Sequence, residues 1–178
     1  MQDAGPIGLL LGVDPGLANT GWALLDGESR VVECGTIRTA PGPPGPRLLR
    51  IVTELKEVLA VHAVAEAALE ELFVGRNATS AVVVAQARGA VLTMLAEAGI
   101  PVQEYKPAQV KAVLTGYGKA NKEQVLRVIG VQTSGGAEMD DHAADAAAIA
   151  VCHARSRRFR QLTGTSSSGV AGRVRGAR

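Results

Sequence analysis

The chain opens on a short, unbroken apolar run. "IGLLLGVD" (7–14) has no polar side chain before its terminal acid, the pattern of a strand buried in the middle of a sheet. "TGWALLD" and "RVVECGTIR" flank Gly27-Glu28 and read as a hairpin. "PGPPGP" (41–46) is a rigid break. Helical spacing then takes over in "RLLRIVTELKEVLAVH" (47–62) and in "NATSAVVVAQARGAVLTMLAEAG" (77–99), the second framed by a cap-like Asn77 and a stop at Gly99. "PVQEY" (101–105) reads as a short strand, followed by helices near 107–115 and 122–129 and a last helix starting near Asp140.

The segment "AVAEAALEELF" (63–73) is rich in Ala, Glu and Leu, which favour helix. It lies between two long helices, and a strand there completes a β-β-β-α-β-α-β-α order. Packing in a central strand overrides propensity, so a strand is expected. Alternation then puts Glu66 and Glu70 on one face and Leu69 on the other. No second domain is expected: residues 1–160 form one α/β domain with a five-stranded mixed sheet flanked by helices, and 161–178 a disordered Gly/Ser/Arg-rich tail.

Charge changes the picture only when divided. The net charge is +2, but seven of the 19 basic residues lie at or after Arg155, and no acid follows Asp145. Residues 1–154 therefore carry a net of −5. Nucleic-acid binding by bulk charge is excluded, and a local patch must do the work. No run approaches a membrane span and the N-terminus lacks signal-peptide order, so no membrane partner is expected. Two cysteines, Cys34 and Cys152, give no disulfide framework, which fits a reducing cytoplasm.

The candidate chemistry is concentrated in "GAEMDDHAADAAAIAVCHA" (136–154). With Ile149 at the centre of the buried face, a rotation of about 100° per residue puts His142 about 20° and Asp145 about 40° from it. Asp140 points about 180° away and is accounted for as a helix N-cap. An inward carboxylate more than a turn into a helix costs several kcal/mol unless a cation accompanies it. Asp14 follows the first strand at a place where α/β folds bind ligands, although an Asp before Pro-Gly is also an ordinary turn residue. Glu70 is a third candidate, with Glu66 and Glu71 as competitors. Two strand-end acids with a helix-borne His and Asp make an oxygen-rich set with one nitrogen, suited to Mg²⁺ or Mn²⁺.

In combination and order, "GVDPGLANTGWALLD", "LEELFVGRNATSAVVVAQARGA", "VKAVLTGYGKANKEQV" and "DDHAADAAAIAVCHA" resemble the RuvC family of Holliday-junction resolvases, from about Leu9 to Arg155. The resemblance implies a ribonuclease H-like fold, a homodimer, and a crossover junction endodeoxyribonuclease with two Mg²⁺ or Mn²⁺ per active site. By position, Asp14 matches the family's first-strand Asp. Glu70 matches its Glu in the pattern apolar–Glu–x–apolar–Phe, which decides against Glu66 and Glu71. Asp145 matches the last acid of "AADA", and the position three residues earlier falls on His142, where many members carry Asp and others His.

The resemblance also lifts Lys111 and Lys122 out of a basic stretch that includes Lys106, Lys119 and Arg127, a pattern for which a solvated helix face is the more common cause. The family has functionally important lysines at those two positions, near the scissile phosphate. Phe73 becomes a wedge that stacks on an unpaired junction base in place of a core plug. Arg76, Asn77, Arg88 and Lys119 are expected to add DNA contacts; the 77–98 helix, whose small residues permit close helix approach, is expected to form the dimer interface, although its pattern equally allows packing wholly within its own subunit. The expected partners are four-way junction DNA, a second copy of the chain and a branch-migration helicase. Two rival readings remain open: a sugar-kinase or actin-like ATPase domain, which also opens on a strand, an Asp and a Gly/Thr turn, and a catalytically idle junction-binding module.

Overall fold

A computed structural model of the chain describes residues 8–27, 30–72, 78–132 and 139–163. The strands are β1 (Leu9–Asp14), β2 (Asn19–Leu25), β3 (Val31–Arg38), β4 (Val64–Glu70) and β5 (Val102–Tyr105). The helices are α1 (Pro44–Val61), α2 (Ala78–Glu97), α3 (Pro107–Thr115), α4 (Lys122–Gln132) and α5 (Asp141–Thr163). The expected order of elements is therefore present, including the strand at 64–70 made of helix-favouring residues. Ala67, Ala68 and Leu69 are all fully buried, and a sheet interior with helices on both faces sets the conformation there.

One five-stranded sheet runs in the order β3-β2-β1-β4-β5. The first three strands are antiparallel neighbours, while β1, β4 and β5 are parallel. Two aliphatic layers cover it. On one face Leu11, Val13, Trp22, Leu24, Ala67 and Leu69 pack against α1 and α2 through Ile51, Leu55, Val91 and Leu95. On the other, Leu10, Ala23, Leu25 and Ala68 pack against α5, with Val110 and Leu114 of α3 and Val125 and Ile129 of α4 closing the layer. Among the described residues no helix is long and apolar enough to cross a membrane.

Two boundaries and one burial pattern differ from expectation. Helix α1 starts at Pro44, inside the proline-rich break. Its prolines stand in the first turn, where the missing N–H groups have no intrahelical acceptor to lose, so the break nucleates the helix. Helix α5 runs to Thr163, so residues 161–163, assigned to the tail, are helical; 164–178 lie outside the described residues. The single buried face assumed for α5 is also corrected. From Ala143 to Ala154 every residue is buried except Asp145, because the helix is enclosed by the sheet, α3 and α4.

Candidate active site

Two strand ends create the site. β1 and β4 are adjacent and parallel, with Val13 in register with Leu69, so Asp14 and Glu70 finish side by side at the C-terminal rim. The strand period puts Leu10, Gly12 and Asp14 on the α5 face together with Glu66, Ala68 and Glu70. Asp145, the one unburied residue in the enclosed stretch of α5, opens onto the same place. Asp14, Glu70 and Asp145 line a cleft of about 330 Å³ with Lys111 of α3 and Lys122 of α4. His142, three residues before Asp145 on α5, has its Nδ1 3.9 Å from Asp14 Oδ2.

Two glycines make this convergence possible. A Cβ on Gly12 would collide with the Ala146 carbonyl and the Ala150 side chain, and one on Gly21 with the His142 carbonyl. Gly21 is the register partner of Asp14 on β2, so α5 touches the sheet beside the first catalytic candidate. Glycines on the strands and alanines on the helix bring the two backbones together, a role that a Gly within a strand often has. The start of α5 is fastened separately. Asp140 accepts the Ala143 N–H at 3.0 Å and the Thr36 hydroxyl at 2.6 Å, and pairs with Arg38 on β3. The Ala143 hydrogen bond leads the influences that hold its carboxyl below the usual range. The expected N-cap role of Asp140 is what the structure shows.

The electrostatics are those of an anion cluster short of positive charge. Burial, then the Asp14 and Asp145 carboxylates, push the Glu70 carboxyl up to about 7, against the pull of Lys111. Burial, then Asp145, raise Asp14, against the pull of His142 and Lys122. The Lys122 ammonium lies 3.2 Å from both Asp141 and Asp145. Burial works against its charge, but these hydrogen bonds outweigh burial and raise its pKa. Among the described residues no three His, Cys, Asp or Glu side chains stand at metal-ligand spacing. The three carboxylates share one cleft without standing at ligand distance from one another. Oxygen donors with one imidazole, two of the acids holding their protons above the ordinary range, fit hard divalent cations.

The competing acids are placed elsewhere. Glu66 shares the Glu70 face but is held by His153 at 2.8 Å and Arg157 at 3.2 Å, and Glu71 does not line the cleft. His153 also meets the Tyr105 hydroxyl at 2.8 Å, giving a Tyr–His–Glu–Arg chain that sequence reading missed. Lys119 is exposed in the loop between α3 and α4. Phe73, Arg76 and Asn77 lie outside the described residues. Arg88 is the one candidate whose surroundings contradict its expected role as a phosphate contact. It is buried, its guanidinium is 2.5 Å from Glu104, and it donates to the Glu70 carbonyl at 3.1 Å, which leaves the fork committed inside the molecule.

Known proteins resemble this chain over most of its length. The family model described as "Crossover junction endodeoxyribonuclease RuvC" matches residues 10–153. A protein of that name from Roseiflexus sp. (strain RS-1) is 46% identical over 148 residues, covering 80% of this chain and 88% of the relative. One from Chloroflexus aurantiacus (strain ATCC 29366 / DSM 635 / J-10-fl) is 43% identical over 162 residues, covering 88% and 98%. Among solved structures, that of T. thermophilus RuvC in complex with Holliday junction substrate superposes with a TM-score of 0.79 at 35% identity, covering 85% of this chain and 96% of that one. By its match to the family model over residues 10–153 and to these relatives, this chain belongs to the RuvC family of crossover junction endodeoxyribonucleases.

Proposed function

We propose that the chain resolves four-way DNA junctions by paired, symmetric, metal-dependent hydrolysis of two opposed phosphodiesters, leaving 5′-phosphate ends during recombination and repair. The observation that carries this reading is the meeting of Asp14, Glu70 and Asp145 in one cleft with Lys111 and Lys122 beside them. Asp14, Glu70, Asp145 and His142 would hold two Mg²⁺ or Mn²⁺ ions. When bound, the ions supply positive charge at the scissile phosphate and lower the proton affinity of the attacking water. Asp14, which ends β1 beside Glu70 and has the His142 ring 3.9 Å away, would be among the residues that hold them.

The remaining roles belong to side chains that receive DNA. Lys111 and Lys122 border the carboxylates, where they offset phosphate charge that the acids alone would repel. Lys119 extends the basic border across the loop after α3. Phe73, Arg76 and Asn77, which follow β4 within seven residues of Glu70 in sequence, engage the junction's unpaired bases and backbone. The active unit is a homodimer, since a two-fold substrate needs one site on each of two opposed strands. Val82, Gln86, Gly89 and Thr93 of α2 form an outward stripe at helical spacing, while Ala87, Val91, Met94 and Leu95 face the core. The stripe is the face proposed to meet the second subunit. A branch-migration helicase and a cytoplasmic location complete the reading.

The test is cleavage of a synthetic four-way junction in Mg²⁺ and Mn²⁺ with both cut sites mapped. Symmetric paired nicks are expected from the native chain, and binding without cutting from Asp14→Asn. An uncut junction, or an Asp14→Asn protein that cuts normally, would overturn it.

A further inference from the structure

Arg88 stands on α2 with only 9% of its surface exposed. Such a cation is retained inside a protein only when its donors are matched. One prong of the guanidinium, Nη2, is 2.5 Å from Glu104 Oε2 on β5. The other, Nη1, donates to the backbone carbonyl of Glu70 at 3.1 Å. Glu70 is the last residue of β4; the N–H that completes its peptide, on Glu71, donates to the Tyr105 carbonyl at 2.8 Å, so Arg88 holds the carbonyl side of a planar unit whose other side is tied to β5. The carbonyl carbon and the Cβ of a residue share one Cα. Fixing the carbonyl at the end of a strand therefore fixes the direction in which the carboxylate leaves the backbone.

We infer that Arg88 is a positioning residue for the reaction: its fork, anchored on Glu104, locks the Glu70 carbonyl and aims the Glu70 side chain into the cleft. The inference rests on Glu70 being a carboxylate of the reacting site. A lysine supplies a point charge in place of the planar two-pronged fork, so it does not reproduce the lock. The DNA-contact role for Arg88 requires a guanidinium open to solvent, and this one is closed in by a carboxylate and a carbonyl.

The experiment compares Arg88→Met, the double variant Arg88→Met with Glu104→Gln, and Arg88→Lys. Each is measured for melting temperature, junction affinity over a salt series, and single-turnover cleavage at saturating protein. Arg88→Met is expected to lose stability, because the partly buried Glu104 is left without its partner. The double variant removes that stranded charge and regains the melting temperature. Its cleavage is expected to stay at least about tenfold slow, with junction affinity unchanged, because the Glu70–Glu71 peptide is then held on its N–H side alone. Arg88→Lys, which keeps a counter-charge for Glu104, is expected to fold and to share the slow cut. Full-rate cutting by either folded variant overturns the inference. So does weaker junction binding by the two Met-containing proteins, with a salt slope reduced by about one and an intact saturated rate, the signature of a phosphate contact. Glu70→Gln is measured alongside. If that protein cuts normally, the assignment of Glu70 to the site fails, whereas a dead Glu70→Gln beside a full-rate double variant removes only the role of Arg88.

Discussion

Replacing Glu70 by Gln is expected to destroy cleavage and, in the absence of divalent cations, to make the protein more stable. The carboxyl is pushed from 4.5 up to about 7 by burial and by two neighbouring acids. A carboxyl raised in the folded state holds its proton longer than the unfolded chain does. Stability therefore falls as pH rises between 4.5 and about 7, and the whole penalty is present above that. At about 1.36 kcal/mol per pH unit the ceiling is ~3.4 kcal/mol, and the water still reaching the half-buried carboxylate reduces it to about 1–2 kcal/mol. Gln fills the same volume without the charge. For a chain of this length the gain is roughly 2–8 °C in melting temperature at pH 8 in EDTA, shrinking toward zero near pH 4.5. Added Mn²⁺ stabilises the native protein more than the variant, because the ion takes over the neutralisation that Gln provides. The assay is calorimetry across pH 4.5–8 with and without Mn²⁺. Equal melting temperatures at pH 8 in EDTA, or a difference that does not change with pH, would show that Glu70 carries no such penalty.

Three further outcomes follow from the same geometry. Gly21→Ala forces α5 away from β2 beside Asp14 and is expected to slow cleavage roughly 100-fold with junction binding retained, measured by single-turnover kinetics. His142→Asp exchanges an imidazole for a carboxylate and is expected to narrow a preference for Mn²⁺ over Mg²⁺; equal activity ratios in the two proteins would contradict it. Burial lowers the pKa of His153 below 6.5, against the pull of Glu66, so its ring is neutral, donates to Glu66 and accepts from Tyr105. The fold therefore loses stability as pH falls below 6.5, where the unfolded chain takes up that proton. His153→Gln is expected to flatten this acid slope, measured by calorimetry in the Glu70→Gln background where the opposing Glu70 contribution is gone.

Much of the site was legible in the sequence, for physical reasons that differ residue by residue. Asp14 and Glu70 each end an apolar segment, and strand alternation alone assigns Glu66 and Glu70 to one face. Choosing between those two required the family pattern, because the partners that occupy Glu66, His153 and Arg157, come from a helix more than 80 residues away. Asp145 stands out in the sequence for a reason the structure only partly supports. The helix has no single buried face, and its carboxylate is conspicuous because it alone escapes burial in the enclosed stretch. Arg88 could not be read at all: an arginine on an alanine-rich helix looks like a surface charge until β5 brings Glu104 to it. Gly12 and Gly21 were equally silent, since a strand glycine shows its purpose only when the opposing helix is in place.

Whether Asp14, Glu70 and Asp145 hold divalent cations jointly is decided by anomalous scattering from crystals of the protein grown with Mn²⁺. Mn²⁺ is expected in the cleft at about 2.1 Å from oxygens of all three carboxylates, with Lys122 withdrawn from Asp145. Mn²⁺ bound elsewhere, with the Lys122–Asp145 pair intact, would mean that the three acids do not form a metal site.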